Sequence, residues 1–132
     1  MFRIDTISSE STTNSTDSEL IHKICNVVYR MLTILREKHP DTPVLFIEDP
    51  YFPTTFYDER ISFEVKRKNA TLNKIFQDME AAGEQNIYLL HSDDLIGTDG
   101  EATVDGIHFS DLGMMRYADK VISVIYKLID GK

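Results

Sequence analysis

A carboxylate and a histidine stand three residues apart in the last third of this 132-residue sequence. Asp105 precedes His108, and Gly106 between them allows the chain to turn back. In such a turn the carboxylate can accept a hydrogen bond from the imidazole Nδ1–H, which fixes the tautomer and leaves Nε2 free as a general base. Ordinary capping loops have the same spacing, and Ser110 is a candidate helix N-cap just after it. The spacing alone leaves the catalytic and the capping interpretation open.

The polar segment at residues 91–107 offers a second kind of chemistry. His91, Asp93 and Asp94, taken with His108, contain the two imidazoles and the carboxylates that a transition metal would accept. Nothing in their spacing fixes a coordination geometry, and a solvated polar loop is the simpler interpretation. We therefore predict no metal and no cofactor.

The elements that must position these residues alternate between strand and helix. Residues 44–47 and 87–90 are short apolar runs, typical of strands buried on both faces of a parallel sheet. Before, between and after these runs, apolar residues recur at helical spacing. A capping box at 16–19 opens the first helix, and Gly83 stops the second. We predict strands at 2–7, 44–47 and 87–90, and helices at 16–38, at 61–82 and from 110 onward.

The same periodicity predicts which side chains face the core and how the elements assemble. In the first helix these are Ile21, Ile24, Val28, Met31 and Leu35, in the second Val65, Leu72, Ile75, Phe76 and Met79, and in the last Met114, Ala118, Val121, Ile122, Ile125 and Ile129. Strands joined by helices of about 20 residues favour right-handed crossovers and a parallel sheet with helices on its faces. We expect an α/β fold in a single domain over 1–132.

Composition excludes several classes of function. Fourteen basic against 22 acidic residues give a net charge of −8, opposite to what a nucleic-acid binder requires, and the one basic run, 66–68, is typical of a solvated helix face. Cys25 is the only cysteine, so no intramolecular disulfide forms. No apolar run is long enough for a membrane span, and no signal peptide opens the chain. We expect a soluble protein, cytoplasmic if residue 1 is the natural start and periplasmic or secreted if processed.

The block at residues 104–114, Val-Asp-Gly-Ile-His-Phe-Ser-Asp-Leu-Gly-Met, strongly resembles the last sequence block of SGNH hydrolases, the GDSL-type esterases and acylhydrolases. Segments 39–43, 46–49, 100–103 and 115–118 resemble one bacterial branch of that family. The resemblance implies a flavodoxin-like three-layer sandwich, here the C-terminal half with about three strands and three helices. It also implies Asp105 as the orienting acid, His108 as the base, and an acyl, acetyl or carbohydrate ester as substrate.

The chain departs from the family pattern at two places. The Gly-Asp-Ser block that supplies the family's nucleophile does not occur, and Ser8, Ser9 and Ser11 stand in a polar loop that offers no fixed oxyanion donors. The source of the nucleophile is therefore unknown. Phe109 replaces the usual proline after the histidine, and we expect it to hold His108 less firmly.

Further expectations concern the substrate pocket and the partners. Tyr51 and Phe52, with Phe56, either wall a pocket for the ester or pack over the sheet edge, and His91 is a further candidate for substrate binding. A half-fold would leave the strand at 2–7 with a free edge, which predicts a homo-oligomer. The alternative to an enzyme is a non-catalytic α/β binding or assembly module with a relic Asp–His loop. A receiver-like domain built on Glu48 and Asp49 is disfavoured because no lysine follows the strand at 87–90.

Overall fold

The computed structural model of the protein describes residues 17–130. Its elements are α1 (Asp17–Lys38), β1 (Val44–Ile47), a 3-10 helix (Pro53–Phe56), α2 (Glu59–Ala81), β2 (Ile87–Leu90) and α3 (Asp111–Asp130). The strand predicted at 2–7, and the association expected through its edge, lie outside the described residues.

Strands β1 and β2 pair in parallel, in register from Val44 opposite Ile87 to Ile47 opposite Leu90. Both strands begin and end where the sequence predicts. All four residues of β1 are buried, as expected for a strand covered on both faces. Three helices with a small parallel sheet, two-stranded over residues 17–130, confirm the predicted α/β class.

Helix α2 crosses from β1 to β2 and has a defined cap at each end. It begins at Glu59, two residues before the predicted start, because the Asp58 side chain accepts hydrogen bonds from the N–H groups of Arg60 and Ile61. It ends at Ala81, one residue before the predicted end, and the predicted stop Gly83, with a φ of +85°, donates its N–H to the carbonyl of Glu80.

One face of the sheet packs against α1 and α2. Val44 and Phe46 of β1 point into a cluster whose other buried members are Ile24, Val28, Leu32, Leu72, Ile75, Met79 and Ile87. The predicted core face of α2 is confirmed. In α1 the buried stripe runs through Ile24, Val28 and Leu32, whereas Ile21, predicted inward, is exposed because it lies a turn before the first side chain that reaches the core.

The other face of the sheet is covered by the loop after β2 and by α3. Leu45 and Ile47 pack there with Leu95, Ile96, Ala102 and Val121. Val121 is the only large side chain of α3 that is fully buried, and Tyr117, Val124 and Ile125 pack beside it against the same cluster. The predicted inward positions Met114, Ala118, Ile122 and Ile129 are exposed, because the contact face of α3 is the stripe that runs through Tyr117, Val121, Val124 and Ile125. Within residues 17–130, no helix has the length and apolarity needed to cross a membrane.

Candidate catalytic site

Asp105 and His108 form a hydrogen-bonded pair, as their spacing predicts. The Nδ1 of His108 lies 2.6 Å from Oδ2 of Asp105, and the backbone N–H groups of Ile107 and His108 donate to Oδ1 at 3.0 and 2.8 Å. The bond from His108, followed by those backbone donors, lowers the pKa of Asp105 to about 2. The ionised Asp105 accepts a hydrogen bond from the Nδ1–H of His108, and in this tautomer the Nε2 of the exposed imidazole can act as a base.

A short antiparallel hairpin carries this pair, and we call residues 103–109 the dyad hairpin. Thr103 bridges Phe109 at its base, and the Val104 N–H donates to the His108 carbonyl at 2.8 Å. The turn at its tip uses Gly106, whose φ of +91° is the left-handed region that glycine adopts most readily. The paired geometry is therefore built into the backbone of this segment.

The start of α3 anchors the dyad hairpin. The Ser110 hydroxyl accepts from the Gly113 N–H at 3.2 Å, which confirms it as an N-cap, and donates to the Glu101 carbonyl at 2.8 Å. Gly113 lies so close to the Ala102 carbonyl that a Cβ at this position would collide with it. Capping and pairing thus coexist: Ser110 caps the helix while His108 binds Asp105.

An ion pair that was not predicted from the sequence joins the preceding loop to α3. Arg116 donates to both carboxylate oxygens of Asp99 at 2.7 Å and to the Ile96 carbonyl at 3.0 Å. These bonds hold the pKa of Asp99 well below its usual range. Their effect is to fix the loop that leads into the dyad hairpin.

The aromatic loop after β1 packs against the other side of the dyad hairpin. The Phe52 ring lies 6.0 Å from that of Phe109, which in turn lies 5.5 Å from Tyr117. The Phe109 ring is thus packed between two aromatic neighbours. That it holds His108 less firmly than a proline would stays a prediction. Tyr51 is half-buried and Phe56 is exposed, and their role in a substrate pocket stays a prediction.

His91 belongs to a different network, centred on the buried carboxylate of Glu48. The Ser92 N–H donates to Glu48 Oε2 at 2.6 Å, Asn73 donates to Oε1, and His91 Nδ1 lies 3.2 Å from Oε1. Burial raises the pKa of Glu48, but the hydrogen bonds from Ser92, Asn73 and His91 outweigh it and lower the pKa overall. Sequence reasoning missed this network because its members come from three separate segments.

The described residues do not join His91 to the dyad. No hydrogen bond within residues 17–130 links His91 to Asp105 or His108, and Asp94 instead pairs with Lys120 at 3.4 Å. In the same range, no three His, Cys, Asp or Glu side chains are grouped to hold a metal ion. A substrate contact by His91 stays a prediction, and Ser8, Ser9 and Ser11 lie outside the described part of the chain.

Comparisons with known proteins identify one family and two proteins of similar structure. Residues 2–126 match the GDSL-like lipase/acylhydrolase family. A protein of Bacteroides ovatus assigned as a GDSL-like lipase has a similar structure, with a TM-score of 0.77 and 31% identity over 83% of this chain. A salicylyl-acyltransferase from a tetracycline biosynthetic pathway shares the fold, with a TM-score of 0.64 and 20% identity over 86% of this chain. The chain covers 33% of each neighbour, and the search of curated proteins found no match.

Proposed function

The chain belongs to the GDSL-like lipase/acylhydrolase family, and on that premise we propose that it supplies the acid–base residues of a serine ester hydrolase. His108 is the general base and Asp105 orients it. The observation that carries the proposal is the 2.6 Å contact between His108 Nδ1 and the ionised Asp105. The substrate class is an acyl or acetyl ester, with carbohydrate esters included.

The proposed reaction proceeds by acyl transfer. Nε2 of His108 takes the proton of a serine hydroxyl as that oxygen bonds to the ester carbonyl carbon. Asp105 stabilises the imidazolium, which returns the proton to the alcohol oxygen as its bond to the acyl carbon breaks. A water molecule then attacks the acyl-serine with His108 again as base, which releases the acid and restores the serine.

The nucleophile and the oxyanion donors are proposed to come from a segment that is not part of this sequence. No Gly-Asp-Ser block occurs among the 132 residues, and the chain spans one third of the length of its two structural neighbours. Hydrolysis therefore requires this chain to be joined to, or assembled with, a nucleophile-bearing segment.

A chimera tests the proposal. The segment of the Bacteroides ovatus protein that this chain matches is replaced by the chain, and hydrolysis of p-nitrophenyl acetate and butyrate is measured beside the unmodified neighbour. We expect the chimera to hydrolyse the esters and His108→Ala to lower kcat about 10³-fold or more. His39→Ala, which removes an exposed histidine in the turn after α1, is the matched control and should leave the rate unchanged.

Two results would contradict the proposal. One is a folded chimera without turnover beside an active parent, which would favour the non-catalytic binding or assembly module. The other is a chimera whose rate falls equally in the His108→Ala and His39→Ala variants. The chain alone is assayed in parallel, and turnover that depends on His108 would show that one of its own serines serves as nucleophile.

A further inference from the structure

Thr54, in the 3-10 helix that follows β1, binds the tip of the dyad hairpin. Its hydroxyl donates to the carbonyl of Gly106 at 2.7 Å, and its backbone N–H donates to the same oxygen at 3.3 Å. The two segments are 52 residues apart in sequence. Thr54 is 7% exposed, so these bonds are largely shielded from competing water.

The carbonyl that Thr54 holds belongs to the peptide unit that also serves Asp105. A peptide unit is planar, so the Gly106 carbonyl and the Ile107 N–H turn together. Thr54 fixes one end of this unit, and the other end donates to Oδ1 of Asp105 at 3.0 Å. A rotation of the unit would break both bonds and remove one of the donors that hold the carboxylate toward His108.

The surroundings favour this single orientation. Since the Thr54 hydroxyl proton is directed to Gly106, the Tyr57 hydroxyl at 3.2 Å is the donor to Thr54 Oγ1. A Cβ on Gly106 would collide with the Thr54 hydroxyl and the Tyr57 oxygen. The hydroxyls of Thr54 and Tyr57 thus pack so closely against Gly106 that only glycine fits at this position.

We propose that Thr54 is a positioning residue for the Asp105–His108 pair, acting through the Gly106–Ile107 peptide. This inference rests on the proposed function only in so far as the pair is catalytic; the positioning itself is measurable without turnover. It assigns the loop after β1 a second task beside the substrate contacts expected of Tyr51 and Phe52. That task is to set the donors around the acid that orients the base.

The test compares two buried threonines of the same turn. Thr54→Val replaces the hydroxyl by a methyl of similar shape, while Thr55→Val removes a hydroxyl that donates only to Phe52 at 2.6 Å, within the turn. The full chain is labelled with ¹³C and ¹⁵N, and the Asp105 carboxyl is titrated from pH 6 to pH 3. The His108 ring nitrogens are recorded separately at about pH 9, where an imidazole of ordinary pKa is neutral and its tautomer is defined.

In the native chain and in Thr55→Val, we expect the Asp105 carboxyl to stay ionised across this range, since its pKa is about 2. In Thr54→Val the titration midpoint should move up into the measured range, and the His108 signals should show loss of the single Nδ1–H tautomer. Identical titrations in all three proteins, or equal shifts in both variants, would overturn the proposal.

A milder variant guards against loss of the fold. Tyr57→Phe removes an exposed hydroxyl that supports Thr54, and Thr54→Ser keeps the hydroxyl. If Thr54→Val does not fold, Tyr57→Phe should still shift the Asp105 midpoint upward while Thr54→Ser retains the native value, and the reverse pattern would refute the role of Thr54. A native-like dyad in a chimera without esterase activity would instead refute the proposed function and leave the positioning intact.

Discussion

Two carboxylate–histidine pairs within residues 17–130 are built in opposite ways. In the first, Glu48 is 5% exposed and accepts bonds from Ser92 and Asn73 as well as contacting His91. In the second, both Asp105 and His108 are exposed, and a 2.6 Å contact joins them. A carboxylate beside a histidine can therefore have either of two structural roles. Glu48 connects the ends of both strands through the Ser92 N–H, whereas the side chain of Asp105 binds its own turn and the His108 imidazole.

The largest effect is expected when the buried acid is removed. Glu48→Ala leaves the Ser92 N–H without its acceptor inside the protein and removes one of the two acceptors of the Asn73 amide, which keeps the Asn69 carbonyl. The free energy of unfolding, measured by urea denaturation, should fall by roughly 2–4 kcal/mol. Glu80→Ala, which removes an exposed acid from α2, is the control and should change it by no more than about 0.5 kcal/mol. Equal effects of the two substitutions would show that the network contributes little.

A smaller effect on stability is expected where α3 packs closely against the backbone next to the dyad hairpin, at Gly113. In a free helix, glycine to alanine stabilises by about 1 kcal/mol. Gly113→Ala should instead destabilise the protein by roughly 1–3 kcal/mol, since the added methyl meets the Ala102 carbonyl. Ser123→Ala, at an exposed position of the same helix, is the reference. A stabilised Gly113→Ala protein would mean that the hairpin moves away from α3 without cost.

The smallest effect on stability is expected from the exposed pair itself. The folded-state pKa of Asp105, about 2, lies below its ordinary value of about 3.9, so its contribution is complete above about pH 4 and is lost as the pH falls through about 2. His108→Ala should raise this pKa and flatten the pH dependence of stability between pH 5 and pH 2. The stability it removes is therefore that present above about pH 4, and it should be small because both side chains are exposed. Thermal unfolding of the variant and the native chain across that range measures this pH dependence. A loss of stability at pH 7 as large as that of Glu48→Ala would contradict the prediction that the exposed pair contributes less than Glu48.

The sequence was sufficient for both strands and for the dyad, for local reasons. Residues 44–47 and 87–90 are continuous apolar runs with abrupt polar ends, a pattern typical of short strands buried in a parallel sheet. Asp105 and His108 are three residues apart with a glycine between them, and the turn that joins them needs no distant partner. Signals of this kind can be read within a window of a few residues.

Contacts between distant segments were not predictable in the same way. Thr54 reaches Gly106 across 52 residues, and nothing in a Pro-Thr-Thr-Phe segment indicates that its first threonine binds another loop. The face of α3 was misassigned because helical periodicity gives the direction of the apolar side but not what covers it. Met114, Ile122 and Ile129 are apolar at the expected spacing, yet they are exposed, and α3 packs on the sheet through Tyr117, Val121, Val124 and Ile125.

The difference in sequence separation between the two pairs has a consequence for folding. Glu48 and His91 are 43 residues apart, so their contact requires closure of a long loop and exists only once β1 and β2 have met. Asp105 and His108 close a loop of three residues, at a much smaller entropic cost. The two histidines therefore report different events: the ring of His91 follows the global unfolding of the chain, whereas the ring of His108 follows the local opening of one turn.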